Sequence, residues 1–118
     1  MQYVRKLMEK DLQVNPSNLR NRAQVAAIFS VENPARALQL AKETLEICKD
    51  KKESNAYQWQ IAMVFGLMES LQKDCREAEE EYERLRSETC MQPLAEYVAC
   101  YRLARMCVMK TAFAKAVV

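Results

Sequence analysis

Apolar residues recur every three or four positions along most of the chain, which is the spacing of amphipathic helices. The clearest stripe consists of Ala37, Leu38, Ala41, Leu45 and Cys48, which share one helical face. The pattern therefore predicts a series of helices that pack through one apolar face each.

Prolines and small polar residues mark the ends of these helices. Asn15-Pro16 ends the first helix, because the residue before proline is pushed out of the α region. Asn33-Pro34 supplies an N-cap followed by proline at the first helical position. We predict helices over residues 3–13, 19–30, 34–49, 55–72, 75–87 and 93–109, then a turn at Lys110-Thr111 and a partial helix from residue 112.

Turn-forming residues are scarce, with one glycine and three prolines among 118 residues. A β-rich fold needs tight turns every 8–12 residues or so, so this scarcity excludes it. Short connections between helices imply antiparallel neighbours. We expect an all-α protein whose residues 1–118 form a single domain.

Three segments share a helix–turn–helix pattern in which small residues recur at matching places. Small residues allow two helices to approach closely, since a large side chain would not fit at the crossing. We therefore expect Gly66 and Ala78 to face each other across a helix–helix contact. The segments are Val25-Ala26 with Ala37 and Ala41, Phe65-Gly66 with Ala78 and Tyr82, and Leu103-Ala104 with Phe113 and Ala116.

This pattern resembles a degenerate tetratricopeptide (TPR) repeat, although Ala62 and Glu69 replace the consensus aromatics of helix A in the middle repeat. The resemblance implies antiparallel helix pairs stacked as a short right-handed solenoid. A plain antiparallel bundle explains Ala37 and Ala78 almost as well and stays open. The apolar end at residues 113–118 leads us to expect a segment of a longer solenoid or self-association through uncapped ends.

In TPR proteins the inner face of helix A lines a concave groove, and the resemblance carries that role onto this chain. Leu67 stands where chaperone-binding TPR domains need asparagine, so we do not expect a carboxylate clamp. An apolar, methionine-bearing groove suits a partner helix or apolar peptide. The alternative, that these side chains are core, stays open. The predicted partner-binding residues are Met63, Leu67, Leu71, Tyr101, Arg105, Val108 and Met109.

Charge and cysteine content narrow the function classes. The net charge is +2, and the glutamate-rich run at residues 77–83 has the mixed charge of a solvated helix face. Five cysteines without a Cys-x-x-Cys motif, and no histidine, predict free thiols, no metal site and no cofactor. We therefore expect a reducing intracellular compartment, cytoplasmic or nuclear. No apolar run approaches the ~20 residues that span a bilayer, so a membrane role is not expected.

These observations predict a non-catalytic protein–protein interaction scaffold or adaptor. The chain has no histidine, no glycine-rich phosphate loop and no motif that sets a nucleophile beside a base, so an enzyme is not expected. The alternative is an RNA-binding helical-repeat protein, which the nearly neutral charge balance disfavours. It would require six basic residues to converge: Arg20, Arg22, Arg84, Arg86, Arg102 and Arg105.

Overall fold

A computed structural model describes the backbone of residues 2–15 and 18–117 and the side chains of residues 6–7, 9–15 and 18–110. Within these residues the fold is all-helical and contains no strand, as predicted. The helices are α1 (Gln2–Val14), α2 (Leu19–Glu32), α3 (Pro34–Ile47), α4 (Asn55–Ser70), α5 (Cys75–Glu88) and α6 (Pro93–Val117), with a 3-10 turn at Lys49–Lys51.

Side-chain caps begin four of these helices, where the first backbone N–H groups lack partners within the helix. The side-chain oxygen of Asn33 accepts a hydrogen bond from the Arg36 backbone N–H, and Pro34 is the first residue of α3. Ser54 caps α4 and Asp74 caps α5 in the same way. The helix starts predicted at Pro34, at Asn55 and at Cys75 are therefore confirmed.

Helix α4 packs against both α3 and α6. Helix α2 packs mainly against α3, whereas α5 packs mainly against α6. Phe65, Ile61 and Met68 of α4 are fully buried, together with Leu40 of α3 and Leu85 of α5. The α3 stripe is buried at all five of its positions, as its spacing predicted.

The expected close contact between Gly66 and Ala78 is wrong. A Cβ atom built on Gly66 meets no other atom within 4 Å, so α5 does not approach α4 at this glycine. The rings of Phe65 and Tyr82 instead lie edge to face between the two helices, with their centroids 6.0 Å apart.

The expected turn at Lys110-Thr111 is also wrong, because α6 continues without a break through these residues. Neither glycine nor proline occurs in α6 after Pro93, so neither of these helix-breaking residues interrupts it. Leu103-Ala104 and Ala116 therefore lie on one helix, and the third helix–turn–helix is not observed. The side chains of residues 111–118, including the expected apolar end, lie outside the described residues.

A disulfide joins Cys75, at the first turn of α5, to Cys107 of α6, with their Cα atoms 5.5 Å apart. It corrects the expectation that all five cysteines are free thiols, and it removes part of the support for a reducing compartment. Cys48 is free and buried, and burial raises the pKa of its thiol. Cys90 and Cys100 are free and exposed.

Among the described residues, no helix combines the length and the apolar character needed to cross a bilayer.

Candidate functional site

The start of α6 is fixed by a network of amide side chains. The backbone N–H of Gln92 donates to Gln58 Oε1 at 3.0 Å, and Gln92 Nε2 donates to the Glu53 carbonyl at 2.7 Å. Gln58 is buried, and its Nε2 donates to the Lys52 carbonyl at 2.6 Å. These bonds tie the first turn of α6 to the start of α4.

Ion pairs and the disulfide fix the rest of the described part of α6. The Glu69 carboxylate of α4 accepts from Arg102 Nη1 at 2.9 Å and lies 3.0 Å from Arg105 Nε. Its side chain is only 15% exposed, so this three-residue cluster is partly shielded from solvent. Near the other end, Lys110 Nζ lies 2.9 Å from Asp74 Oδ2, close to the Cys75–Cys107 bond. The helix is therefore held in one orientation along its described length.

The inward face of α6 is made of small and medium apolar residues. Ala95, Ala99 and Met106 are buried there, and Leu103 packs against the core from a partly buried position. These residues bury one side of the helix against α4 and α5.

The opposite face of α6 is also apolar but has no helix packed on it in the described chain. Leu94 is 74% exposed, Tyr97 68%, Tyr101 51% and Val108 67%, and Ala104 is exposed between the last two. We call these five residues the outer stripe. At about 100° per residue they lie on the side of the helix away from Ala99 and Met106. A helix that is apolar on both faces is normally covered on both.

Two of the outer-stripe residues are ordered against each other. The rings of Tyr97 and Tyr101 stack with their centroids 6.3 Å apart and their planes 16° from parallel. A stacked pair presents a flat, rigid aromatic surface, so a partner that binds it loses little side-chain entropy.

The predicted partner-binding residues separate into two groups. Tyr101, Arg105, Val108 and Met109 are exposed on α6, and Met109 is 57% exposed beside the outer stripe. Leu67 is only 4% exposed and belongs to the core. Met63 of α4 and Leu71, the residue after α4, are partly buried and pack against that core. Leu67 therefore follows the alternative in which these side chains are core, and Met63 and Leu71 lie at its edge.

Leu94, Tyr97 and Ala104 were missed as candidate residues. The signal was present in the sequence, because positions 94, 97, 101, 104 and 108 follow the alternating three- and four-residue steps of a heptad repeat. This spacing was hard to recognise because the inner face of α6 is apolar too. With apolar residues on both faces, the sequence does not show which face is exposed.

Five of the six basic residues required by the RNA-binding alternative are paired with acidic side chains. Arg84 pairs with Glu81 at 2.6 Å and with Glu88 at 2.9 Å, and Arg86 pairs with Glu96. Three further arginines also have an acidic partner. Arg102 and Arg105 share Glu69, while Arg22 is buried and bonds to Thr44 and Glu43. These pairs leave little positive charge free for phosphates, so this arrangement does not favour RNA binding.

One open depression of about 220 Å³ lies among α1, α2 and α3. Glu9, Arg36, Arg22 and Glu43 line it, and they form ion pairs across it at 3.9 and 3.2 Å. It is smaller than the roughly 300–1,000 Å³ typical of ligand pockets. The part of the chain with described side chains also holds no group of three acidic or cysteine residues placed to bind a metal ion. We therefore take the outer stripe, and not this depression, as the candidate site.

No family model, curated protein or solved structure matches the chain.

Proposed function

We propose that this protein is a non-catalytic interaction module that binds the apolar face of a partner helix on the outer stripe of α6. The observation that carries the proposal is the exposure of Leu94, Tyr97, Tyr101 and Val108 on one face of a helix whose other face is core. Contiguous exposed apolar surface of this kind usually marks an interaction site. A scaffold or adaptor role in a larger assembly is what the resemblance of the sequence to TPR repeats implies.

The rigidity of α6 supports this proposal. The glutamine network, the Glu69 cluster and the disulfide hold the helix on the rest of the fold, so its outer stripe is ready to bind. Binding to a preformed surface costs less conformational entropy than binding to a disordered one. Covering one large apolar side chain contributes about 1.5–3 kcal/mol, which corresponds to roughly 10–150-fold in affinity.

The test uses a fluorescent synthetic peptide with leucine at the heptad positions, titrated with the full chain and followed by anisotropy. We expect Tyr101→Glu and Val108→Glu to weaken binding by at least about tenfold, because each places a charge in the apolar contact. Both residues are exposed, so circular dichroism should report unchanged helix content.

Val31→Glu is the matched control, because Val31 is 86% exposed on α2 and lies outside the outer stripe. It should bind the peptide like the parent. Equal losses in the control and the α6 variants, or a parent chain that binds no helix and does not self-associate, would overturn the proposal.

A further inference from the structure

We infer that the outer stripe binds the same stripe of a second copy of this chain, with the two α6 helices antiparallel. The inference rests on the proposed function and names the partner. The two-fold axis would pass between Tyr101 and Ala104, so that Tyr101 of each copy meets Ala104 of the other. Tyr97 of each copy would then meet Val108 of the other.

The spacing of the stripe identifies the occupant as a helix. Its members follow steps of three, four, three and four residues, which keeps them on one seam when two helices supercoil. An extended strand presents every second residue and would not match this spacing. The stripe carries no charge, and the nearby Arg102 and Arg105 are already paired with Glu69.

The sizes of the side chains favour the antiparallel arrangement. In a parallel pair Tyr101 would face Tyr101 and Ala104 would face Ala104, which gives one crowded layer and one hollow layer. In the antiparallel pair each tyrosine faces a smaller residue, and facing layers of unequal size interdigitate without voids. Ala104 is exposed in the single chain, so it is free to receive the tyrosine ring.

The exposed area is sufficient for a weak dimer. With 150–250 Å² for a whole tyrosine and less for the other residues, the exposed fractions leave on the order of 500 Å² of side-chain surface on the stripe. A standard interface buries about 800 Å² per partner, and smaller ones belong to reversible complexes. We therefore expect dissociation in the micromolar range rather than a permanent dimer.

Sedimentation velocity over a concentration series measures the association of the full chain. Tyr101→Glu should weaken it by at least about tenfold, and Val31→Glu should leave it within about twofold. Ala104→Tyr should also weaken it, because two tyrosines would then meet in each central layer. The double variant Tyr101→Ala, Ala104→Tyr should restore most of the affinity, since each layer again pairs a large residue with a small one.

Nitroxide labels on the free exposed cysteines measure the orientation. In the Cys100→Ser chain the label is on Cys90, just before α6, and antiparallel pairing places the two labels about 37 Å apart along the axis. In the Cys90→Ser chain the labels on Cys100 should lie within about 20 Å of each other.

The label distances and the association and peptide-binding results test the antiparallel dimer separately from the proposed function. Distant Cys90 labels with close Cys100 labels support the antiparallel dimer, whereas close labels in both chains indicate a parallel pair and overturn it. A chain that stays monomeric but binds the heptad peptide overturns self-pairing and leaves the proposed function standing. A chain that does neither overturns both.

Discussion

Gly66 provides a sharp test of how α4 and α5 pack. It lies inside α4, its φ is not positive, and a Cβ atom added there meets no atom within 4 Å. Glycine in a helix interior is about 0.8–1.0 kcal/mol less favourable than alanine, because it loses more backbone freedom on folding. With no clash to offset this gain, Gly66→Ala should stabilise the protein by about 0.5–1 kcal/mol.

This gain should be visible in thermal unfolding. Unfolding a chain of 118 residues carries an entropy of about 0.25 kcal/mol/K, so the expected rise in Tm is about 2–4 °C. Ala62→Gly is a matched control, since Ala62 is also half-buried one turn earlier in α4 and should lose a similar amount. Urea denaturation of both variants gives the free energies. Destabilisation by Gly66→Ala would refute the open packing and restore the close helix contact typical of a TPR pair.

Three further outcomes follow from the packing, the disulfide and the ionisation of one cap. Leu67→Glu should unfold the domain because it places an unpaired charge in the core, whereas Met109→Glu should keep the helix content seen by circular dichroism. The Cys75–Cys107 disulfide links residues 32 apart, and its reduction should lower the free energy of unfolding in urea by about 2–4 kcal/mol. An unchanged urea midpoint after reduction would contradict a stabilising role of the disulfide. The hydrogen bond from Lys110, followed by that from the Arg76 backbone N–H, lowers the pKa of Asp74. The contribution of the Asp74 carboxylate to stability should therefore be present at neutral pH and disappear as the pH falls through the pKa of Asp74 in the folded protein. The Tm difference between the parent and Asp74→Asn should accordingly be largest near neutral pH and vanish in acid, and a difference that grows in acid would reverse this assignment.

The positions of the helices could be predicted because their signals are local. The Asn33-Pro34 cap and the α3 stripe depend only on neighbouring residues, and both are confirmed. The break expected at Lys110-Thr111 had no glycine or proline to support it, and α6 continues through these residues.

The contacts between helices could not be predicted in this way. Helix α4 is covered by α3 and α6, so apolar residues surround most of it and no periodicity marks a groove. Leu67 was placed in a groove for this reason, whereas it is buried in the core. The pairing of Cys75 with Cys107 depends on how α5 docks on α6, which residue spacing does not reveal.

The most direct test of the central claim is a map of amide chemical shifts in the ¹⁵N-labelled chain as the heptad peptide is added. The account predicts that the largest changes fall on Leu94, Tyr97, Tyr101 and Val108 and their neighbours on α6, with α2 and α3 almost unaffected. Changes centred on α2 or α3, or no changes at saturating peptide in a chain that does not self-associate, would contradict the claim that the outer stripe of α6 is the binding face.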